Sequence, residues 1–407
     1  MSLNPNPHFT VILIPMQIVK SLSGPSHSHL YNLLLNPKQP SFPSFSSFAK
    51  ISKTPNPAVF QFLIETFNLS VTQALPLSAR HSSLKSLEKA QSVVHFFKNL
   101  GVSNSQLQSA ARLSPKIIFA NPDKTLAPKI KVFQDLGIVG HDLGKLISRS
   151  SPILSASLTT KLVPCVEILQ KHLLNDKKNK DLVTVLIRCY RIVTCKNPQA
   201  RLLSSIAYLE SCGIVGSQLS FLLINQPRLL ACQESVLRNT VSQTLSMGFS
   251  AKSRMLVHGL IAVFGSGDKT VERKYGLFRS FGYSEYECRE IFGKAPYLLS
   301  RSEEKLKLRI NFFLNTVKLE KEKLVRYAPI LMQSLERRVL PRFRVWEILK
   351  SKKFLEEKVR VAMFFSTEEV FVQKFISSFP DEAEELLLAY KGHALLHLQK
   401  KKDLDVS

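Results

Sequence analysis

Apolar residues recur at helical spacing along most of the chain, in stretches that end at glycine or proline. One such stretch runs from Leu306 to Val317 and places its apolar residues on a single helix face. Another, "KIKVFQDLG" (129–137), ends in glycine, which is the usual C-terminal stop of a helix. No stretch keeps the alternation of period two that a strand requires. The pattern predicts an all-α fold built from short helices.

Prolines divide these helical stretches at nearly regular intervals. The successive gaps are 37, 75, 69 and 33 residues, and the two long gaps are each about twice the short ones. Units that lack the proline are therefore expected near residues 190 and 264. Proline fits the first turn of a helix and disrupts its interior, so each unit should be a helix, a turn and a second helix. The prolines that carry this register are Pro115, Pro152, Pro227, Pro296 and Pro329.

Glycines supply a second landmark at a fixed distance from the prolines. Gly101, Gly137, Gly213 and Gly282 each lie 14 or 15 residues before a proline, and Gly248 lies in the same setting. A unit of about 35 residues cannot bury its apolar stripe alone, whereas stacked units can. The sequence therefore predicts an α-solenoid of repeated helix-turn-helix units.

The stretch "VFGSGDKT" (263–270) resembles a phosphate-binding loop but occupies the position of a missing proline turn. A P-loop places four residues between its first glycine and the Gly-Lys pair, and counting from Gly265 that pair would begin at Thr270. The glycines are therefore interpreted as helix punctuation. The six cysteines form no C-x-x-C pair, and no nucleophile arrangement stands out. We predict no enzyme, no cofactor and no metal site.

The N-terminal segment differs in composition from the rest of the chain. The first acidic residue is Glu65, and the preceding residues are rich in serine and proline and contain four lysines but no arginine. This composition is typical of an organelle transit peptide, and the apolar run within it is too short to span a bilayer. The expected organisation is a transit segment over 1–57, a solenoid over 58–392 and a basic, flexible tail over 393–407. No membrane span is expected.

The charge balance indicates a polyanionic partner. Lysine and arginine number 56 against 31 acids, a net charge of +25. The N-terminal lysines account for only four of these cations, so about +21 belongs to the solenoid (52 − 31). Such an excess favours nucleic acid.

Cations recur at fixed positions after the prolines and are the candidate nucleic-acid-binding residues. Position nine after the proline is basic in four units, and two arginines follow four residues later. A ladder of this kind can follow a phosphate backbone, although single members could equally be solvated helix faces. The full set is Lys124, Lys161, Arg228, Arg301, Lys305, Arg309, Arg337, Arg338, Arg342 and Arg344.

Proline-centred units of the form "LG…L…P.LL" resemble those of the mitochondrial transcription termination factor (mTERF) family, and both flanks of the array are similar to the plant branch. The resemblance covers about Val59 to His393. It implies a right-handed superhelical α-solenoid, expected to be a monomer, that binds nucleic acid along a concave basic face. It further implies regulation or termination of organelle transcription by binding double-stranded DNA. The alternatives are RNA binding in intron splicing or ribosomal RNA maturation, and a protein-interaction scaffold. The plant relatives favour the mitochondrion, with the chloroplast as the alternative.

Overall fold

A computed structural model describes residues 54–251, 253–356 and 360–392. The predicted tail over 393–407 and nearly all of the predicted transit segment, residues 1–53, lie outside the described residues. Throughout the described ranges the chain forms helices joined by turns, with no strand. The chain is therefore an all-α solenoid of helical repeats, as predicted.

The chain divides into two compact units, Met1–Ser204 and Ser205–Ser407. In the first unit, 3₁₀ turns at Pro115–Phe119 and Ser151–Ser155 are followed by π-helical turns at Pro122–Leu126 and Leu158–Leu162. Its α-helices are Pro57–Phe67, Val71–Arg80, Glu88–Asn99, Asn104–Leu113, Ala127–Asp135, Gly140–Ser150, Val163–His172, Lys180–Arg188, Arg191–Thr194 and the first half of Pro198–Ser211.

The second unit contains the remaining repeats and a C-terminal group of short helices. Its 3₁₀ turns are Pro296–Ser300, Ala328–Met332, Val361–Phe364 and Pro380–Glu382, and its π-helical turns are Phe312–Thr316, Leu335–Val339 and Gln373–Ser377. Its α-helices are Gly216–Asn225, Arg228–Ala231, Glu234–Ser246, Met255–Ser266, Asp268–Ser280, Glu285–Lys294, Glu303–Asn311, Lys321–Arg326, Leu340–Ser351, Glu368–Val372 and 383–392.

All but one of the repeats consist of a first helix, a short turn and a second helix. The turn begins at proline in most repeats, because proline fits the first position of a helical turn. The second helix often begins with a side-chain cap, as where Asn121 accepts a hydrogen bond from the backbone N–H of Lys124 at 2.8 Å. We number the repeats of the described residues 1 (104–135), 2 (140–172), 3 (180–211), 4 (216–246), 5 (255–280), 6 (285–316) and 7 (321–351).

The predicted glycine landmarks lie where the backbone turns out of the second helix. All five have positive φ angles, 79°, 75°, 84°, 91° and 79° for Gly101, Gly137, Gly213, Gly248 and Gly282. This left-handed conformation costs glycine little, because it has no Cβ. The glycine register predicted from the sequence is therefore confirmed.

The first and second helices bury their apolar stripes against neighbouring repeats. Leu107 and Ala110 of repeat 1 are almost fully buried, and the end of the Gln106 side chain lies so close to Gly144 of repeat 2 that a Cβ there would displace it. In repeat 6, Phe313 contacts Phe364 edge to face, with ring centroids 5.8 Å apart. Each such buried side chain contributes roughly 1.5–3 kcal/mol.

The two repeats predicted to lack proline differ from each other. Repeat 3 keeps a short turn, now α-helical, at Arg191–Thr194. In repeat 5 the first helix begins at Met255, seven residues after Gly248, and ends at Ser266. Gly267 alone, at φ 74°, separates it from the second helix. The first helix has thus slipped by about one turn and absorbed the place of the 3₁₀ turn.

This slip also settles the nature of the stretch 263–270. Its first half ends one helix and its second half begins the next, whereas a P-loop follows a strand.

Among the described residues, no single helix is long and apolar enough to cross a membrane. One pair of helices, Gly140–Ser155 and Leu158–His172, is together long and apolar enough by length and composition alone, but the pair is bent by 109°.

Candidate nucleic-acid interface

The candidate cations fall into two groups that the sequence pattern does not separate. The first group is exposed at the surface, near the turns or on the second helices that follow them. None of its members pairs with an acidic side chain within the described part of the chain. Such cations are free to contact phosphate oxygens. The exposed group is Lys124, Arg228, Arg301, Lys305, Arg337 and Arg344.

Backbone geometry fixes three of the exposed cations at equivalent places. Lys124 lies three residues after Asn121, whose side chain caps the second helix of repeat 1. Arg337 lies three residues after Ser334, whose hydroxyl accepts from the Arg337 N–H at 3.2 Å. Lys305 lies three residues after Ser302, the residue before its helix. These three cations therefore stand in the first turn of the second helix of repeats 1, 6 and 7, as the spacing predicted.

Lys161 and Arg338 are half-buried, because each reaches the turn of the repeat that follows. The Nζ atom of Lys161 donates to the carbonyl oxygen of Cys195 at 3.1 Å. The Nε of Arg338 donates to the carbonyl oxygen of Phe364 at 3.0 Å. These two cations stabilise the array, and only part of each side chain faces solvent.

Arg309 and Arg342 are buried, which corrects their interpretation as surface cations. Arg309 is 9% exposed, and its Nη1 donates to the carbonyl oxygen of Leu331 at 2.8 Å. Arg342 is 1% exposed, and its guanidinium also lies over the ring of Phe371 at 4.6 Å. Arg309 lies one helical turn beyond Lys305, and Arg342 lies one helical turn beyond Arg338, so both point at the short turn that follows their repeat. They are structural, and we remove them from the proposed interface.

Two buried lysines that the sequence reasoning missed make the same contact. Lys129 donates to the carbonyl oxygen of Leu154 at 2.6 Å, and Lys274 donates to that of Arg301. In repeat 3 an uncharged residue takes this role, because the hydroxyl of Ser205 donates to the carbonyl of Leu230 at 3.3 Å. We call Lys129, Lys161, Lys274, Arg309, Arg338 and Arg342 the staple cations.

The staple cations satisfy carbonyl groups that a short turn leaves without partners. The last carbonyls of a helical turn have no N–H partner within it, and burying them unpaired costs free energy. Burial in turn lowers the pKa of Lys129. Burial also lowers the pKa of Arg309, and the positive charge of nearby Arg301 adds to the effect. Hydrogen bonds to carbonyl oxygens offset this cost of burying a cation.

Position in the repeat accounts for part of this division. Lys129, Arg309 and Arg342 lie 13 or 14 residues after the proline of their repeat, whereas Lys124 and Lys305 lie nine after it. The first position meets the following turn. The second meets solvent at Lys124 and Lys305, but at Lys161 and Arg338 it also reaches the following turn. Among the described residues, no cluster of three or more His, Cys, Asp or Glu could hold a metal ion.

Comparison with known proteins agrees with the repeat architecture. The mTERF family profile matches residues 94–257 and 255–372, most of the described chain. A curated relative is the protein "Transcription termination factor MTERF8, chloroplastic" of Arabidopsis thaliana, 23% identical over 271 residues. That alignment covers 66% of this chain and 52% of the relative, so the chain spans about half the length of the relative it matches. The family match runs through all seven repeats, and the chain belongs to the mTERF family.

Proposed function

We propose that this protein regulates organelle gene expression by binding nucleic acid through its exposed cations. The observation that carries the proposal is the set of six exposed basic side chains without acidic partners in the described residues. Lysine and arginine on phosphates fix position and supply most of the affinity for a polyanion. Membership of the mTERF family supports the same class of function.

The primary target that we propose is double-stranded organelle DNA, bound during regulation or termination of transcription. The name of the Arabidopsis relative supports a transcription role. Within the second unit, Arg301 and Lys305 of repeat 6 and Arg337 and Arg344 of repeat 7 stand in successive repeats. Regular repetition of cations suits a backbone with evenly spaced phosphates.

The alternative is a role in RNA maturation or as a protein scaffold. A structured RNA presents phosphates that the same cations could contact. A scaffold would bind its partner through surfaces whose affinity survives high salt. We propose binding rather than catalysis in each case, because the positions that stand out are cations suited to contact.

For localisation, we propose an organelle, with the mitochondrion as the first expectation. The acid-poor composition of residues 1–57 supports an organelle address. The Arabidopsis relative is named as chloroplastic, so the chloroplast stays the alternative. Import of the full chain, fused to a fluorescent protein, into isolated mitochondria and chloroplasts distinguishes the two.

The test of function is crosslinking of the tagged full chain to nucleic acid in isolated organelles, with DNA and RNA sequenced separately. A compact peak on organelle DNA supports the transcription role, and a peak on one intron or ribosomal RNA supports RNA maturation. In parallel, affinity for a duplex is measured across salt concentrations. A shallow salt dependence and no crosslinked nucleic acid would overturn the proposal and favour a scaffold.

A further inference from the structure

The C-terminal group of short helices carries a charge opposite to that of the chain as a whole. Residues 361–390 contain six acids and one lysine, a net charge of −5, in a chain whose net charge is +25. A surface of this sign repels phosphate and attracts basic groups. Its charge therefore suits a basic polypeptide and disfavours nucleic acid.

Two short helices of this group pack against each other. The helix Glu368–Val372 and the helix 383–392 meet where the rings of Phe371 and Tyr390 stack, with ring centroids 5.1 Å apart. Four carboxylates on these helices and just before the second are exposed, and none pairs with a basic side chain within the described part of the chain. They are Glu368, Glu369, Asp381 and Glu384.

Exposed apolar side chains accompany these acids. Leu388, one helical turn after Glu384, is 70% exposed, and Val370 on the neighbouring helix is 37% exposed. Acidic and apolar side chains together suit a partner that is basic and also carries aliphatic residues. We call Glu368, Glu369, Val370, Asp381, Glu384 and Leu388 the acidic face.

The segment that follows the helix 383–392 has the complementary composition. Residues 393–402, "HALLHLQKKK", contain three leucines, three consecutive lysines and no acid. The eight residues from Gly392 to Lys400 can span up to roughly 28 Å when extended. The distance back along the helix from Gly392 to Glu384 is only about 12 Å. The lysines can therefore reach the acidic face of their own molecule.

We propose that residues 393–402 dock on the acidic face of the same molecule, with the three lysines beside its carboxylates and the leucines beside Leu388. Tethering favours this occupant over a separate basic protein, because a segment joined by a few residues has an effective concentration on the order of millimolar. The docked lysines are withheld from phosphates, so the contact restrains nucleic-acid binding. That consequence rests on the proposed function, whereas the contact itself does not.

Carbodiimide crosslinking of the full chain, read by mass spectrometry, tests the contact. The reagent activates a carboxylate, and a lysine amine in contact with it then forms an amide. A mixture of unlabelled and isotope-labelled chain distinguishes links within one molecule from links between two copies. We expect links from Lys400, Lys401 or Lys402 to Asp381 or Glu384 within one molecule. Links between copies alone, or no link at the acidic face, overturn the proposal.

The rate of trypsin cleavage after the three lysines measures how firmly the segment is held. We expect Asp381→Asn with Glu384→Gln to raise that rate by about fivefold, because docking protects the lysines. Leu388→Ser should raise it as well. Equal cleavage of the wild type and the Asp381→Asn, Glu384→Gln variant overturns the proposal.

A matched control removes the same number of acids elsewhere. Glu167→Gln with Glu210→Gln changes two exposed acids on the helices Val163–His172 and Pro198–Ser211. We expect this variant to be cleaved at the wild-type rate. Thermal unfolding of every variant checks that the fold is retained.

Affinity for a short duplex, measured by fluorescence anisotropy, tests the consequence for nucleic acid. We expect Asp381→Asn with Glu384→Gln to tighten binding about threefold more than the control variant does, because released lysines contact phosphates. Changing Lys400, Lys401 and Lys402 to alanine should abolish this gain, and a gain that persists without them overturns the restraint. Absence of duplex binding by every variant overturns the proposed function, while crosslinking and cleavage still decide the docking.

Discussion

Arg342 in repeat 7 donates a hydrogen bond from Nη1 to the carbonyl oxygen of Met363 at 2.7 Å, in the 3₁₀ turn that follows the repeat. The same nitrogen also donates to the carbonyl oxygen of Ser366 at 2.8 Å. One buried guanidinium thereby fixes the C-terminal turn against the second helix of repeat 7. Its hydrogen-bond partners belong to the protein itself, and its side chain is almost fully buried, which leaves no access for a phosphate.

Removal of this contact should destabilise the protein without acting on nucleic-acid binding directly. We expect Arg342→Met to lower the free energy of unfolding by about 3 kcal/mol, because two or more buried carbonyls lose a charged donor. The measurement is urea unfolding followed by circular dichroism. Arg344→Met is the control, because that side chain is exposed two residues away, and its effect should stay within about 0.5 kcal/mol. Equal effects of the two substitutions would contradict the assignment of Arg342 as a staple cation.

The exposed cations should behave in the opposite way. We expect the combined change of Arg301, Lys305, Arg337 and Arg344 to alanine to leave the unfolding curve unchanged and to weaken duplex binding. If all four contact phosphates, the slope of log affinity against log salt falls in magnitude by about 3–4. Fluorescence anisotropy between about 50 and 200 mM salt measures this slope.

The control for that experiment removes the same number of charges from ion-paired positions. Substitution of four cations that pair with acids four residues away should change the slope by less than one. An equal loss of slope in both variants would show that net charge alone determines the affinity. The control residues are Lys131, Arg238, Lys294 and Arg360.

Much of the fold follows from the sequence because proline and glycine act locally. The conformation at Gly137 or at Pro296 depends on a few adjacent residues, so spacing alone predicts the repeats. The roles of Arg338 and Arg342 could not be separated in that way. Their spacing places them on one face of a helix, but whether that face meets solvent or a neighbouring turn depends on tertiary packing. The slip of the first helix in repeat 5 escaped the sequence reasoning for a similar reason, because a helix that slips by one turn keeps nearly the same unit length.

The glycine landmarks offer a test of backbone conformation that is independent of packing. Gly137 has φ 75°, and a Cβ there would meet nothing within 4 Å. We expect Gly137→Ala to destabilise the protein by about 1–2 kcal/mol, the cost of a left-handed conformation for an ordinary residue. Gly276 lies inside the helix Asp268–Ser280 in open space, so Gly276→Ala should stabilise by about 0.5–1 kcal/mol. Chemical unfolding of both variants checks the opposite signs, and a destabilised Gly276→Ala variant would contradict this account.

Buried tyrosines should limit stability at alkaline pH. Burial raises the pKa of Tyr275, and the nearby charge of Glu285 raises it further. Its hydroxyl is buried without a hydrogen-bond partner among the described residues. The unfolded chain releases this proton near pH 10 while the folded chain retains it, so stability is fully present below about pH 10 and falls as the pH rises further.

Replacement of that hydroxyl should remove the alkaline loss that it causes. We expect Tyr275→Phe to be neutral or stabilising by about 1 kcal/mol at pH 7, because the stacking on Phe292 is kept. Above pH 10 the decline of stability should become shallower by up to about 1.4 kcal/mol per pH unit. Tyr286→Phe, at a tyrosine that is 72% exposed, should leave the profile unchanged. Parallel profiles of Tyr275→Phe and the wild type above pH 10 would rule this explanation out.

The division of the cations into exposed and buried groups has a consequence for binding kinetics. A buried, protonated guanidinium still contributes to the long-range field that attracts a polyanion, because that field depends on the whole charge distribution. It makes no contact in the final complex, however, and so cannot slow dissociation. Removal of a staple cation that leaves the fold intact should therefore lower the association rate at low salt, whereas loss of Arg301 or Arg337 should mainly raise the dissociation rate. In the proposed complex, the charge that captures a nucleic acid and the charge that holds it belong in part to different residues.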